Sequence, residues 1–416
     1  MSQPRRGFIE RRTIGHVVAL ALMGVTPALA APAAPADPLP EPLPPTSIVE
    51  AIAPVPAPPP PPAAPAASGV AGPLKLLEAD VGTRLGLRIQ NPNPRKPDKL
   101  NDLGMDGQVQ LLLSGQATRH ILWQADFVGT FGTVNQDGST YTSSSAAVLD
   151  LVGRFEFHDA FNLWVGRMLV PADRSGLSTE WAISPWLFPG QFVAGQPPVG
   201  SRQGPYGRSD GATLWGQLGG GTFKYYAGAF NLADPTQSPM YSGRLSLSLL
   251  NPEPGYRNAS TYYGSKDVLA LGAGFQYQHN GWALLDTTTK EPVAWADFTE
   301  LNFDLFFEKN LGAAGVMDLE GAFYKIWGSY APESISYFVL ASYLLPIEVG
   351  AGKFQPLFRL EQAHDRATDD TDALADAQLG YIIDGLRARV ALAYRYSKVQ
   401  GQTGNSVLLG LQLMTR

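Results

Sequence analysis

Along residues 386–396 every second position from Ala388 (Val390, Leu392, Tyr394, Tyr396) is apolar, and Arg387, Arg389 and Arg395 fall between them. Side chains of a strand alternate between its two faces, so this pattern predicts a strand with one greasy and one arginine-bearing face. The period recurs. Val81, Thr83, Leu85, Leu87 and Ile89 oppose Arg84 and Arg88. Leu301, Phe303, Leu305 and Phe307 oppose Glu300, Asn302, Asp304 and Glu308. One such strand fits a soluble sheet or a lipid-facing barrel equally well.

Sixteen segments carry the period. They lie near 81–90, 106–118, 120–132, 146–158, 162–170, 209–218, 222–231 and 242–249. The others lie near 267–279, 297–308, 315–326, 334–345, 353–363, 374–384, 386–397 and 405–414. Their connections alternate long and short, as in membrane barrels with long outer loops and short periplasmic turns. Residues 91–105, 133–145, 171–208 and 364–373 are long; Arg119, 158–161, Gly219–Gly221 and Asp384-Gly385 are tight. The connection at 250–266 breaks this parity, being long where a turn is expected. An even count and strands of about 9–11 residues predict an all-β transmembrane antiparallel barrel over 76–416.

Composition narrows the setting. Four arginines, an apolar run from Ile14 to Val25 and Ala28-Leu29-Ala30 read as a signal peptide over residues 1–30. Without those residues the chain carries 27 basic and 36 acidic side chains, which argues against nucleic acid as a partner. Sixteen of the 35 prolines fall in 31–75, predicting an extended, disordered periplasmic linker reaching on the order of 100 Å at about 3.1 Å per residue. That linker could serve as a spacer or touch peptidoglycan. No cysteine is present, so there is neither disulfide nor thiolate metal site.

By the alternation, the basic residues lining the bore are Arg84, Arg88, Arg154, Arg167, Lys224, Arg244, Arg359, Arg387, Arg389 and Arg395. Acids on the same face are Asp126, Asp150, Glu156, Glu300, Asp304, Asp318, Glu320 and Glu361. Two outcomes stay open. The separated signs set a field across the lumen, or they pair within the wall. The longest connection, with Arg174, Glu180, Trp181, Trp186 and Arg202, is expected to fold inward as a constriction; an outer lid is the alternative. The five histidines show no catalytic or metal-ligating spacing, and Asp369–Asp372 reads as a solvated acidic loop, so no enzyme, metal or cofactor is expected.

Several segments resemble the phosphate-selective porin O/P family of outer-membrane channels. They include Val165-Gly166-Arg167, Arg208-Ser-Asp-Gly-Ala-Thr-Leu-Trp-Gly216, Tyr225-Tyr-Ala-Gly-Ala-Phe-Asn231, Gly243-Arg244-Leu245, Asp304-Leu-Phe-Phe-Glu308 and Tyr381-Ile-Ile-Asp-Gly385. The resemblance implies a sixteen-stranded, homotrimeric channel in outer-membrane lipid, with a basic lumen to which Arg167 and Arg244 contribute. The chain departs from that family in having no lysine in the third long connection and no aromatic residue at its end. The expectation is passive passage of small hydrophilic solutes, with anion preference. The alternatives are a barrel that anchors the envelope through its proline-rich segment and, as a third class, an outer-membrane enzyme.

Overall fold

The computed structural model describes residues 77–90, 102–136, 139–179, 181–190, 207–231, 238–285, 292–327, 334–366, 369–399 and 401–415. The sequence expectations for residues 1–30 and 31–75, and for Glu180 and Arg202, lie outside the described residues.

The strands run β1 (Glu78–Gln90), β2 (Asp102–Gln116), β3 (Ile121–Gln136), β4 (Ser139–His158), β5 (Phe161–Leu169), β6 (Arg208–Leu218), β7 (Phe223–Phe230) and β8 (Met240–Ser248). They continue through β9 (Val268–Leu285), β10 (Pro292–Asn310), β11 (Val316–Trp327), β12 (Ser334–Leu344), β13 (Glu348–Val349), β14 (Gly352–Asp365), β15 (Asp370–Asp384), β16 (Ala388–Val399) and β17 (Gln402–Met414). Each wall strand pairs antiparallel with its sequence neighbours, and β1 closes on β17 through nine register pairs from Gly82↔Met414 to Gln90↔Ser406. The two-residue β13 pairs only with β14, inside a turn, which leaves sixteen strands in a closed wall. Closure removes both sheet edges, so no row of unpaired backbone groups faces hydrocarbon.

The outer surface is the apolar set of the sequence pattern. Val81, Leu85, Leu87 and Ile89 of β1, Phe303 and Leu305 of β10, and Leu392 of β16 are all exposed. Arg84, Asp304 and Arg395, one or more odd steps along the same strands, are buried inside. An uncovered belt of leucine and phenylalanine around a closed barrel is the surface that hydrocarbon, not water, accommodates.

Two expected loops turn out to be mostly strand. Residues 133–145 belong largely to β3 and β4, and 364–373 to β14 and β15. Backbone pairing continues into them, from Thr133↔Thr142 to Gln136↔Ser139 and from His364↔Thr371 to Asp365↔Asp370. β4 reaches 20 residues and β10 19, well past the length a bilayer requires. In contrast, β5, β7 and β8 have 9, 8 and 9 residues.

Candidate functional site

The bore is occupied by two connections entering from opposite ends. The long-end segment, 170–190, leaves β5 and crosses the interior. The Ser242 hydroxyl of β8 donates to the Pro171 carbonyl (2.9 Å), and the Tyr324 hydroxyl of β11 donates to Asp173 (2.5 Å). On the far side the Trp181 indole donates to Gln110 of β2, and Gln412 of β17 donates to the Trp181 carbonyl (3.3 Å). The wall makes room with glycine. A Cβ at Gly82 would strike the Trp181 ring, and one at Gly410 would strike Trp186.

The short-end segment, 249–267, is the connection that broke the length parity. It turns inward beneath the first segment and pairs with it. Asn258 N–H donates to the Leu177 carbonyl (3.2 Å), Ser260 N–H donates to the Ala182 carbonyl (2.8 Å), and Ser178 and Asn258 form a parallel bridge. Tyr256 stacks on Trp164 at 4.4 Å and meets Trp215 and Tyr226 edge-on, all of them buried. Such aromatic packing supplies the apolar burial that a turn left in water lacks. Glu308 accepts bonds from the Thr261 hydroxyl (3.1 Å) and from the N–H groups of Tyr262 (2.5 Å) and Gly264 (2.6 Å).

Arg174 and Glu253 join the two segments. Their fork-to-fork bonds measure 2.9 and 2.6 Å, both side chains are buried, and the guanidinium lies 3.9 Å over the Phe306 ring. Burial pushes the Glu253 carboxyl up. The charge and hydrogen bonds of Arg174 outweigh it and, with the Tyr262 hydroxyl at 2.5 Å, hold the group down at about 2. Burial, and next the Glu253 carboxylate, keep Tyr262 above its ordinary value.

Of the connection expected as a constriction, the described part, 170–179 and 181–190, has Arg174, Trp181 and Trp186 buried. What holds it was absent from the sequence reading. Arg84 donates to the Trp186 carbonyl (2.5 Å), Arg359 to those of Leu187 and Phe188 (2.9 and 2.7 Å), and Arg389 to that of Ser184 (2.9 Å). Three wall arginines thus bond four carbonyls between Ser184 and Phe188 of one segment. Their donors face protein groups rather than a passing anion.

The remaining charges are mostly paired. Arg88 meets Asp106 at 2.9 Å, Arg154 meets Glu156 at 2.7 Å, and Arg244 meets Asp304 at 2.5 Å. Arg359 and Arg395 share Asp376, and Arg359 also meets Glu361 at 3.2 Å. Asp150 takes both Arg208 (3.3 Å) and Arg257 (2.5 Å). Asp126 sits directly across from Asp150 and accepts from Gln110 at 2.5 Å. Lys224 donates to Asn258 (2.8 Å) and to the Gly255 carbonyl (3.2 Å), helping to seat the short-end segment. Glu300, Asp318 and Glu320 are all buried. Asn302 donates to Glu300 (3.0 Å), Ser342 donates to Asp318 (2.6 Å), and Glu320 holds the Ser260 hydroxyl.

Two of the basic positions do not line the bore. Arg167 shares its face with the exposed Leu163 and Val165, and it sits opposite Leu151, which is also exposed. It therefore points outward, in a bidentate pair with Asp210 (2.9 and 2.8 Å) at the end of β5. Its charge suggested the inner face, but strand parity decides the matter, and Asp210 makes the outer position tolerable. Arg387 precedes β16 in a turn, exposed and paired with Asp384 at 3.2 Å, because the hairpin is one residue longer than Asp384-Gly385 suggested.

Among the described residues no group of three or more histidine or acidic side chains could hold a metal ion. His364 lies 3.0 Å from the Thr371 hydroxyl and 3.7 Å from Asp369. That Asp369 carboxylate is 96% exposed, too loosely held to orient an imidazole.

A closed sixteen-stranded antiparallel barrel with an apolar exterior and a polar, segment-filled interior defines a porin-type barrel. Solved structures agree. The chain is similar to Salmonella typhi OmpF in complex with daunomycin (TM-score 0.55, 10% identity, 81% of this chain and 97% of that one). It is also similar to OprB of Pseudomonas putida at high pH (0.51, 11%, 81% and 94%) and to in-vitro folded OmpT, an outer membrane protein of Vibrio cholerae (0.51, 12%, 81% and 97%). At such identities the likeness establishes the fold. No protein-family model matches the sequence, nor does any curated protein.

Proposed function

We propose that the chain is an outer-membrane channel through which small hydrophilic solutes and ions diffuse passively, its bore restricted by segments 170–190 and 249–267. The observation that carries this reading is the sorting of side chains in a closed wall. Leucine, valine and phenylalanine cover the outside, and arginine, aspartate and glutamine turn inward, several of them still reached by water. A barrel built only as a membrane anchor has no need of a hydrated charged interior. Anion preference belongs to the same proposal in a modest form. Arg167 and Arg244, the positions matched to phosphate-selective channels, are each committed to an aspartate, which weakens a phosphate filter built on them. Homotrimeric assembly, which the resemblance to phosphate-selective porins implies, completes the proposal together with export through residues 1–30 and a periplasmic 31–75 linker able to reach peptidoglycan, both read from the sequence pattern.

The packed interior favours one rival, a structural barrel tethering the envelope. Planar-bilayer recording separates the two. Discrete ohmic steps from purified, folded protein support the channel, and a silent bilayer containing inserted protein sinks it in favour of the anchor.

A further inference from the structure

The outer face of β5–β8 departs from the rest of the belt in charge, height and relief. Arg167 and Asp210 point outward from β5 and β6, bound to each other at 2.9 and 2.8 Å, with 33% and 40% of their side-chain surface exposed. Arg167 stands six residues above Phe161, where β5 leaves its short-end turn, and Asp210 eight above Leu218. At a rise of about 3.3 Å per residue and a tilt of about 40°, the pair lies roughly 15–20 Å above those turns. The apolar band of a barrel is about 25 Å tall. Here it reaches down to the turns themselves, since Leu218, Leu249 and Leu250 are half exposed. The pair therefore stands within the band.

The wall is also low in this sector. From Phe161 to Leu169, Phe223 to Phe230 and Met240 to Ser248 the ladder rises about 18–20 Å at that tilt, against roughly 45 Å for β10. Backbone that ends inside hydrocarbon finds no water, and is tolerated only against protein or around a cavity. The face is flat as well. One register row below the pair runs Gly153, Val165, Ala212 and Ala229, and the next sets Ala227 beside Gly243. Glycine weakens a strand and often marks a place where another backbone comes close. Nothing within the chain requires it at these two positions. Neither has a positive φ, and a Cβ at Gly153 or Gly243 would meet no atom nearer than 3.7 Å.

We propose that copies of this chain pack against one another through the outer face of β5–β8, where the Arg167–Asp210 pairs of neighbouring protomers meet away from lipid. This rests on the homotrimeric assembly proposed above and names its face. Charge complementarity argues for a second copy over hydrocarbon. The bidentate bond uses Nε and Nη2 of Arg167 and leaves Nη1 without a bond among the described residues. A carboxylate that accepts two bonds can accept more. A neighbouring copy brings the same donor and the same acceptor, so pairs gathered about a symmetry axis alternate in sign and close. Hydrocarbon offers neither group a partner, and the alanine and glycine face lets two walls approach closely.

The test measures the size of the folded full chain in detergent micelles by light scattering. Gly243→Trp adds bulk where the single chain has room, so it is expected to fold and to reduce the particle from three chains to one. Leu392→Trp, equally exposed to lipid but on β16, about half-way round the wall, is expected to keep the trimer. The protein has no cysteine, so Ala212→Cys carries a single thiol. In lipid vesicles a short bismaleimide should link Ala212→Cys copies to one another and leave Leu392→Cys as single chains. Where Gly243→Trp fails to fold, the Ala212→Cys linkage decides. Trimeric protein in which Ala212→Cys stays unlinked, or in which Gly243→Trp folds and assembles unchanged, overturns this face; a monomeric wild type overturns the assembly reading beneath it.

Discussion

Replacing Glu253 with glutamine should loosen the interior without unmaking the wall. The change leaves the Arg174 guanidinium buried, facing a neutral amide where it had made two charge-assisted bonds. Removing one partner of a buried ion pair costs roughly 3–5 kcal/mol. None of the interstrand ladder depends on this pair, because β8 pairs with β7 and β9 regardless. The cost therefore falls on the docking of the two inner segments, and at about 1.4 kcal/mol per decade it shifts that equilibrium between one hundred-fold and several thousand-fold. Single-channel recording should show Glu253→Gln with larger mean conductance and added open-channel noise. Arg174→Gln combined with Glu253→Gln should behave more mildly than the sum of the single changes, since no uncompensated charge remains. Acid should imitate the substitution. Glu253 lies at about 2 in the folded chain against an ordinary 4.5. Its contribution, about 3 kcal/mol by linkage, is then fully present above pH 4.5 and lost as pH falls from there towards 2. Wild-type conductance should drift towards the Glu253→Gln level across that window, and the variant should not drift. Identical conductance and noise in wild type and variant at neutral pH would refute the idea that this pair holds the segments.

Other expectations follow from the geometry. Gly410→Leu should collide with the Trp186 ring, cost about 1–3 kcal/mol as overpacking, and appear as a changed tryptophan emission with a lowered unfolding midpoint; an unaltered spectrum would contradict the seat described for Trp186. Arg387→Glu should leave the zero-current potential unchanged, because the side chain lies in an exposed turn outside the bore. Leu305→Arg, on the outer belt, should weaken folding into lipid vesicles by about 2–4 kcal/mol if it sits near the bilayer centre. Urea titration of the vesicle-bound protein measures that loss, and no loss would mean the belt does not face lipid.

The wall was legible in the sequence because its cause is local. A period of two needs only neighbours along one strand, and the burial of β11, β12 and β14 follows it through most of their length. The interior was not, because its contacts join distant residues. Arg174 and Glu253 are 79 positions apart, and Arg389 and Ser184 are 205 apart. One signal did mark it. The overlong connection at 250–266 carries Tyr256, Tyr262 and Tyr263 beside Glu253 and Arg257, and a turn left in water has no use for three tyrosines. The face of Arg167 was misjudged because charge was allowed to outrank parity. Arg359, Arg389 and Arg395 of β14 and β16 are buried, and two of them bond carbonyls of a segment whose path no periodicity describes.

The segment from Pro171 to Trp186 also bears on the shape of the tube. A thin cylinder made of one hydrogen-bonded sheet flattens easily, because changing the angle between neighbouring strands bends the wall without breaking any pair. Here a strut runs from β8 and β11 on one side to β1, β2 and β17 on the other, with bonds at both ends. Squeezing the barrel along that diameter must compress the strut, and stretching it must pull tryptophan rings off their glycine seats. The cross-section is thereby stiffened along that diameter. Lateral pressure from a surrounding bilayer therefore meets a braced tube along the line from β8 and β11 to β1 and β17.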